Sequence, residues 1–120
     1  MSMKISDSEL EIMKLIWDMD SPVTAQELMK KLENKNWKIT TLLTFLTRLC
    51  DKGVLTCEKE GRSNHYRPLL SLEEYQLQET EECMKQVHSG SVQSLFAALF
   101  KSKELSKADL DELSHWLEEQ

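Results

Sequence analysis

Three glycines, two prolines and three cysteines are few for 120 residues, and each shortage removes a class of protein. With no glycine cluster there is no phosphate-cradling loop, and no triad or paired-carboxylate spacing stands in its place, so an enzyme is not expected. Cys50, Cys57 and Cys83 are odd in number and match no zinc or redox spacing, which leaves reduced packing thiols as the plain reading. Cys57 and His65 fall on facing halves of a hairpin, yet two ligands do not complete a tetrahedral site, and no metal or cofactor is expected. No apolar run approaches the roughly 18 residues of a membrane span. The start "MSMKISDSEL" lacks a signal peptide's apolar stretch, so the expectation is a cytoplasmic protein without membrane insertion.

What is present is an uneven charge. The total is -6, but residues 1–72 hold eleven basic and ten acidic side chains, whereas residues 73–120 hold four and eleven. Between 30 and 67, nine basic residues (Lys30, Lys31, Lys35, Lys38, Arg48, Lys52, Lys59, Arg62, Arg67) outnumber four acidic ones. A net acidic chain therefore carries a basic window, the distribution that matters for a polyanionic partner.

Helix starts are written as capping boxes, Ser or Thr at the N-cap with Glu three residues on, flanked by an apolar staple. "ISDSEL", "VTAQEL" and "LSLEEY" are complete boxes, and "LSKADL" is a weaker one with Asp109 in place of Glu. Helices are predicted to begin near Asp7, Ala25, Leu72 and Lys107. Another, Val92 to Lys101, follows the "HSGS" break. The segment "WKITTLLTFLTRLCDKGVL" is a further helix: at about 100° per residue, Thr40, Thr41, Thr44, Thr47, Arg48 and Asp51 share one arc, with Leu42, Phe45, Leu46, Leu49 and Cys50 opposite. It is expected to end at Gly53 in the left-handed conformation. "VLTCEKEGRSNHYRPL" reads as a hairpin of Val54 to Lys59 and Ser63 to Arg67, stopped by Pro68, with Lys59 and Arg62 at its tip.

The fold class is thus mainly α with a small β-hairpin wing: a winged helix-turn-helix DNA-binding domain over 1–70 and a C-terminal three-helix dimerisation domain over 71–120. The C-terminal helices fall below the size at which a lone core suffices. Leu95, Phe96, Leu99, Phe100, Leu110, Leu113, Trp116 and Leu117 are expected to form a core shared with a second copy, the alternative being that this stripe packs on the N-terminal domain of the same chain.

Threonine is a poor choice for a solvated helix face, because its β-branch restricts χ1. It suits a helix that enters the major groove: the hydroxyl bonds to a base edge or phosphate, and the methyl meets a thymine methyl. The recognition helix is placed at about 39–52 and the wing, 58–64, on the DNA backbone. Lys38, Thr40, Thr41, Leu43, Thr44, Thr47, Arg48 and Arg62 are the candidate DNA-contacting residues, with Lys52 joining Lys38, Arg48 and Arg62 on phosphates. The alternative is a winged helix that binds protein and only tolerates these threonines.

Those residues carry a resemblance. "ISDSELEIMKLIWDMDSPVTAQELMKKL", the threonine helix, "KEGRSNHYRPLLSLEEY" and "SGSVQSLFAALFKSKELSKADLDELSHWLEE" together resemble the penicillinase and methicillin-resistance repressors of bacteria. The resemblance implies a homodimer that binds a roughly palindromic operator through its winged helices. Thr41, Thr44, Thr47 and Arg48 match the pattern. Lys38, Ile39 and Thr40 replace its serine cap, proline and lysine, and Leu43 stands where a polar or basic side chain is usual. The resemblance also implies release from DNA by a membrane sensor protease cutting an Asn-Phe bond, whose matching positions here are Ala98 and Leu99. The cysteine cluster of the copper-responsive branch has no counterpart, so copper sensing is not expected.

Overall fold

The computed structural model describes residues 4–120, which fold as two compact units divided between Tyr75 and Gln76. In the first, α1 (Asp7–Asp18), α2 (Ala25–Lys31) and α3 (Ile39–Asp51) precede an antiparallel hairpin of β1 (Leu55–Glu60) and β2 (Ser63–Pro68). Ser6 and Thr24 cap α1 and α2 with both bonds of the box in place. At the far end of α3, Gly53 sits at φ 79°, its N–H donates to the Cys50 carbonyl at 3.0 Å, and that of Val54 donates to Leu49 at 3.0 Å. Those two bonds satisfy carbonyls the helix leaves open and turn the chain into the hairpin.

The core lies where the three helices meet the base of the hairpin. Ile12, Met13 and Ile16 of α1, Leu28 of α2, Leu42, Leu46 and Leu49 of α3, and Leu55 and Tyr66 of the strands are all buried. Val23 adds an isolated bridge to the hairpin: its N–H donates to the Tyr66 carbonyl at 3.0 Å and that of Tyr66 to Val23 at 2.8 Å. The base of the hairpin is thereby tied to the α1–α2 connection.

The hairpin and the connection after α2 differ from the sequence reading: β1 begins at Leu55 and ends at Glu60, one residue later at each end than the expected Val54 to Lys59. Pro68 closes β2 opposite Leu55 rather than lying beyond it, and because proline has no N–H the next ladder bond comes from Leu69 N–H to the Val54 carbonyl at 2.8 Å. A 3-10 turn, Glu33–Lys35, separates α2 from α3 and ends on Asn36 in the left-handed region at φ 55°.

The helix α4 (Leu72–Gln86) begins in the first unit and runs on into the second. Trp17 donates its indole N–H to the Leu70 carbonyl at 2.9 Å, and its ring meets Tyr75 at 5.5 Å between centroids, which holds the first turn of α4 against α1. The line between units therefore falls one turn past Leu70. In the second unit, α5 (Val92–Lys101) and α6 (Lys107–Glu118) follow. Asp109 makes both bonds of its box, accepting from Ser106 N–H at 2.9 Å and donating to its hydroxyl at 3.1 Å, so aspartate closes the box that its shorter side chain was expected to weaken.

No residue of α4, α5 or α6 is buried. Leu95, Phe96, Leu99, Leu110 and Leu113 are half-buried. Phe100, Trp116 and Leu117 are 49%, 54% and 56% exposed. Among the described residues no helix is long and apolar enough to cross a membrane.

Candidate nucleic-acid interface

Burial of Leu42, Leu46 and Leu49 turns the opposite face of α3 outward, leaving Thr40, Thr41, Leu43, Thr44, Thr47 and Arg48 exposed. The hydroxyls of Thr44 and Thr47 are not free rotors. Thr44 donates to the Thr40 carbonyl and Thr47 to the Leu43 carbonyl, both at 2.9 Å, the internal bond that β-branched hydroxyls make in helices. With the hydrogen held inward, each presents an oxygen lone pair and a methyl group outward.

Arg48 is steadied by aromatics that the helical wheel placed on the apolar side. Its guanidinium lies over the Phe45 ring, 5.7 Å from the centroid, and Phe45 meets Trp37 at 5.4 Å. The ring attracts the cation and narrows its range of positions. Lys38, exposed, occupies the N-cap of α3 and makes no side-chain cap bond. At the hairpin tip Lys59 and Arg62 are exposed.

Lys52 is placed differently from its expected role on phosphate. Its ammonium bonds to the Glu9 carboxylate and donates to the Lys4 carbonyl at 2.8 Å. Glu9 is buried, so Lys52 neutralises a charge in the interior instead of facing outward. Burial pushes the Glu9 carboxyl up, but Lys52 and the Ser6 backbone and hydroxyl outweigh it and hold the group below its ordinary value.

The hairpin register sets Glu58, not Cys57, opposite His65, and Cys57 opposite Tyr66. Burial pushes the Cys50 thiol up to about 11, with Cys57 and Asp51 adding to the shift, so it stays protonated at neutral pH. Ala98 and Leu99 lie within α5, the first exposed and the second half-buried, and the Ala98 carbonyl accepts from Ser102 N–H at 2.9 Å. Two features escaped the sequence reading. Ile39 stands exposed beside Leu43 on the α3 surface, as the same helical wheel would have shown. The Glu9–Lys52 pair had no signal, because its members are distant in sequence.

Three helices, a hairpin pinned at its base, and a third helix whose open face carries no acid from Trp37 to Cys50 define a winged-helix DNA-binding protein of the repressor type. The chain belongs to the penicillinase repressor family, whose pattern it matches over residues 5–119. It is 33% identical to the penicillinase repressor of Bacillus licheniformis over 117 residues, 97% of this chain and 91% of that protein. It is 26% identical over 115 residues to the methicillin resistance regulatory protein MecI of Staphylococcus aureus strain N315, covering 95% and 93% of the two chains. Among solved structures, the DNA-binding domain of the repressor BlaI is similar at a TM-score of 0.55 and 39% identity, covering 62% of this chain and 92% of that one. The Bacillus licheniformis BlaI monomeric form in complex with the blaP half-operator gives a TM-score of 0.52 at 39% identity, over the same shares.

Proposed function

We propose that this chain is a homodimeric transcriptional repressor that binds double-stranded operator DNA, works in the cytoplasm by binding alone, and requires no cofactor. The observation that carries this reading is the open face of α3: exposed threonines and Arg48, no acid before Asp51 in its last turn, and Lys59 and Arg62 exposed at the hairpin tip. Thr40, Thr41, Leu43, Thr44 and Thr47 would enter the major groove, while Lys38, Arg48 and Arg62 meet phosphates. The operator half-site bound by the related BlaI supports the same use of the fold.

The second unit is assigned to dimerisation. Leu95, Phe96, Leu99, Phe100, Leu110, Leu113, Trp116 and Leu117 leave much apolar surface uncovered, and helices with no buried residue gain their core by meeting a second copy. If the family's release by a membrane sensor protease operates here, the matching bond is Ala98–Leu99 in place of Asn-Phe. That bond lies inside α5, so cleavage requires α5 to unwind first. Gel shift of the purified chain on its own upstream region, with excess unrelated duplex as competitor, tests the central reading. A discrete complex that survives competitor supports it, and binding equally titrated by any duplex refutes it.

A further inference from the structure

Along α3, Thr40, Thr44 and Arg48 form one i, i+4 ridge, and Ile39, Leu43 and Thr47 form the next. Ile39 and Leu43 are 41% and 38% exposed, although the opposite face of the same helix is sealed by Leu42, Leu46 and Leu49. An isoleucine and a leucine one turn apart on an otherwise polar face lose free energy to water until something apolar covers them. Their neighbours narrow what that is. The hydroxyl hydrogens of Thr44 and Thr47 are committed to the Thr40 and Leu43 carbonyls, so these threonines show methyl groups and acceptor oxygens.

We propose that α3 selects A·T base pairs by contact with the thymine methyl, with Ile39 and Leu43 as the specificity-determining residues, an inference that rests on the repressor reading above. In the major groove an A·T pair displays the thymine methyl and the adenine N6 amino donor, the complements of an aliphatic side chain and of an acceptor oxygen. Guanine displays only acceptors at N7 and O6, which arginine or lysine normally meets. From Ile39 to Thr47 the helix contains no Arg, Lys, Asn or Gln. The cations stand at its two ends, Lys38 ahead of the first turn and Arg48 drawn over Phe45. Cytosine has a donor at N4 but no methyl, so it would satisfy the threonine oxygens and leave Leu43 and Ile39 uncovered. An apolar protein surface would also cover the pair, but the absence of acid from Trp37 to Cys50 and the basic window around it favour a partner lined with phosphate.

The test uses the full-length protein and duplexes that it enriches from a random pool. Each thymine of an enriched half-site is replaced in turn by deoxyuridine, which removes the methyl and leaves every hydrogen-bonding group in place. At the contacted positions uracil should weaken binding about three- to fivefold per methyl. The uracil effect should vanish at one such position in Leu43→Ala and at another in Ile39→Ala. Both side chains are exposed, so both variants should keep the wild-type circular dichroism and melting curve. A half-site indifferent to uracil, or one equally sensitive in wild type and in both variants, overturns methyl reading while the repressor reading stands. A pool that yields no enriched sequence overturns the repressor reading, and this inference with it.

Discussion

The Lys52 ammonium, at the C-terminus of α3, is bonded to the Glu9 carboxylate in the first turn of α1, two residues 43 positions apart in sequence. Glu9 thus serves twice, since the same oxygen accepts from the Ser6 N–H at 2.8 Å to complete the cap of α1. One carboxylate fixes the start of the first helix and the end of the third. Lys52→Ala strips it of its counter-charge and should cost about 2 to 4 kcal/mol of folding stability.

The pair should appear in the acid limb of the stability curve. Glu9 lies below the ordinary 4.5 in the folded protein, so its contribution is complete above that value and is lost as pH falls through the lower folded one. Urea midpoints measured from neutral pH downward should fall more steeply for the wild type than for Glu9→Gln, whose curve starts lower. Parallel curves would assign acid sensitivity to other carboxylates.

With Lys52 engaged by Glu9, the salt dependence of operator binding should be smaller than the position of Lys52 in the sequence suggests. If Lys38, Arg48 and Arg62 each meet one phosphate on two protomers, six contacts give an expected log-log slope of about -5. Lys52→Gln should leave that slope unchanged, whereas Arg62→Gln should reduce its magnitude by about 2. Filter-binding titrations at several salt concentrations separate the two.

Thr44→Ala removes an outward methyl and an acceptor from the middle of α3 and should weaken operator binding by about 1 to 3 kcal/mol, with a much smaller effect on unrelated duplex. Arg62→Ala, at the hairpin tip, should weaken both about equally, because a backbone contact carries no sequence information. Equal loss on the two duplexes for Thr44→Ala would make it a positioning contact.

Phe100→Glu together with Trp116→Glu places charge on side chains that the monomer leaves exposed, so the first unit should stay folded while the dimer is lost. Sedimentation should give the monomer mass, and gel shift an affinity for the full operator at least a hundredfold weaker, since the two half-sites are no longer joined. A dimer in this variant would move the interface elsewhere.

How much of this was written in the sequence depends on the range of the interaction. Helix starts were legible because Ser6–Glu9, Thr24–Glu27, Ser71–Glu74 and Ser106–Asp109 each complete their bonds within four residues. The outward face of α3 was legible from its period, and so was the turn at Gly53. The bridge at Val23 was not, because a single pairing with Tyr66 leaves no alternating pattern. Nor was the fate of Lys52: a lysine beside a basic helix reads as a phosphate contact until Glu9 is brought to it by the packing of α1 on α3. The indole bond from Trp17 to Leu70 was hidden in the same way, and with it the point at which the first unit ends.

Helices α4 to α6 bury no residue of their own, and under the dimer reading they would tie the life of the protein to its abundance. If their core forms only between two copies, the dimer's melting point rises with concentration, and a scarce protomer spends more of its time with that part of the chain open to degradation. A cell could then clear the last unpaired copies faster than the paired ones. The disappearance of the protein from a dividing culture would become steeper than dilution alone, a sharpening set by mass action rather than by any inducer.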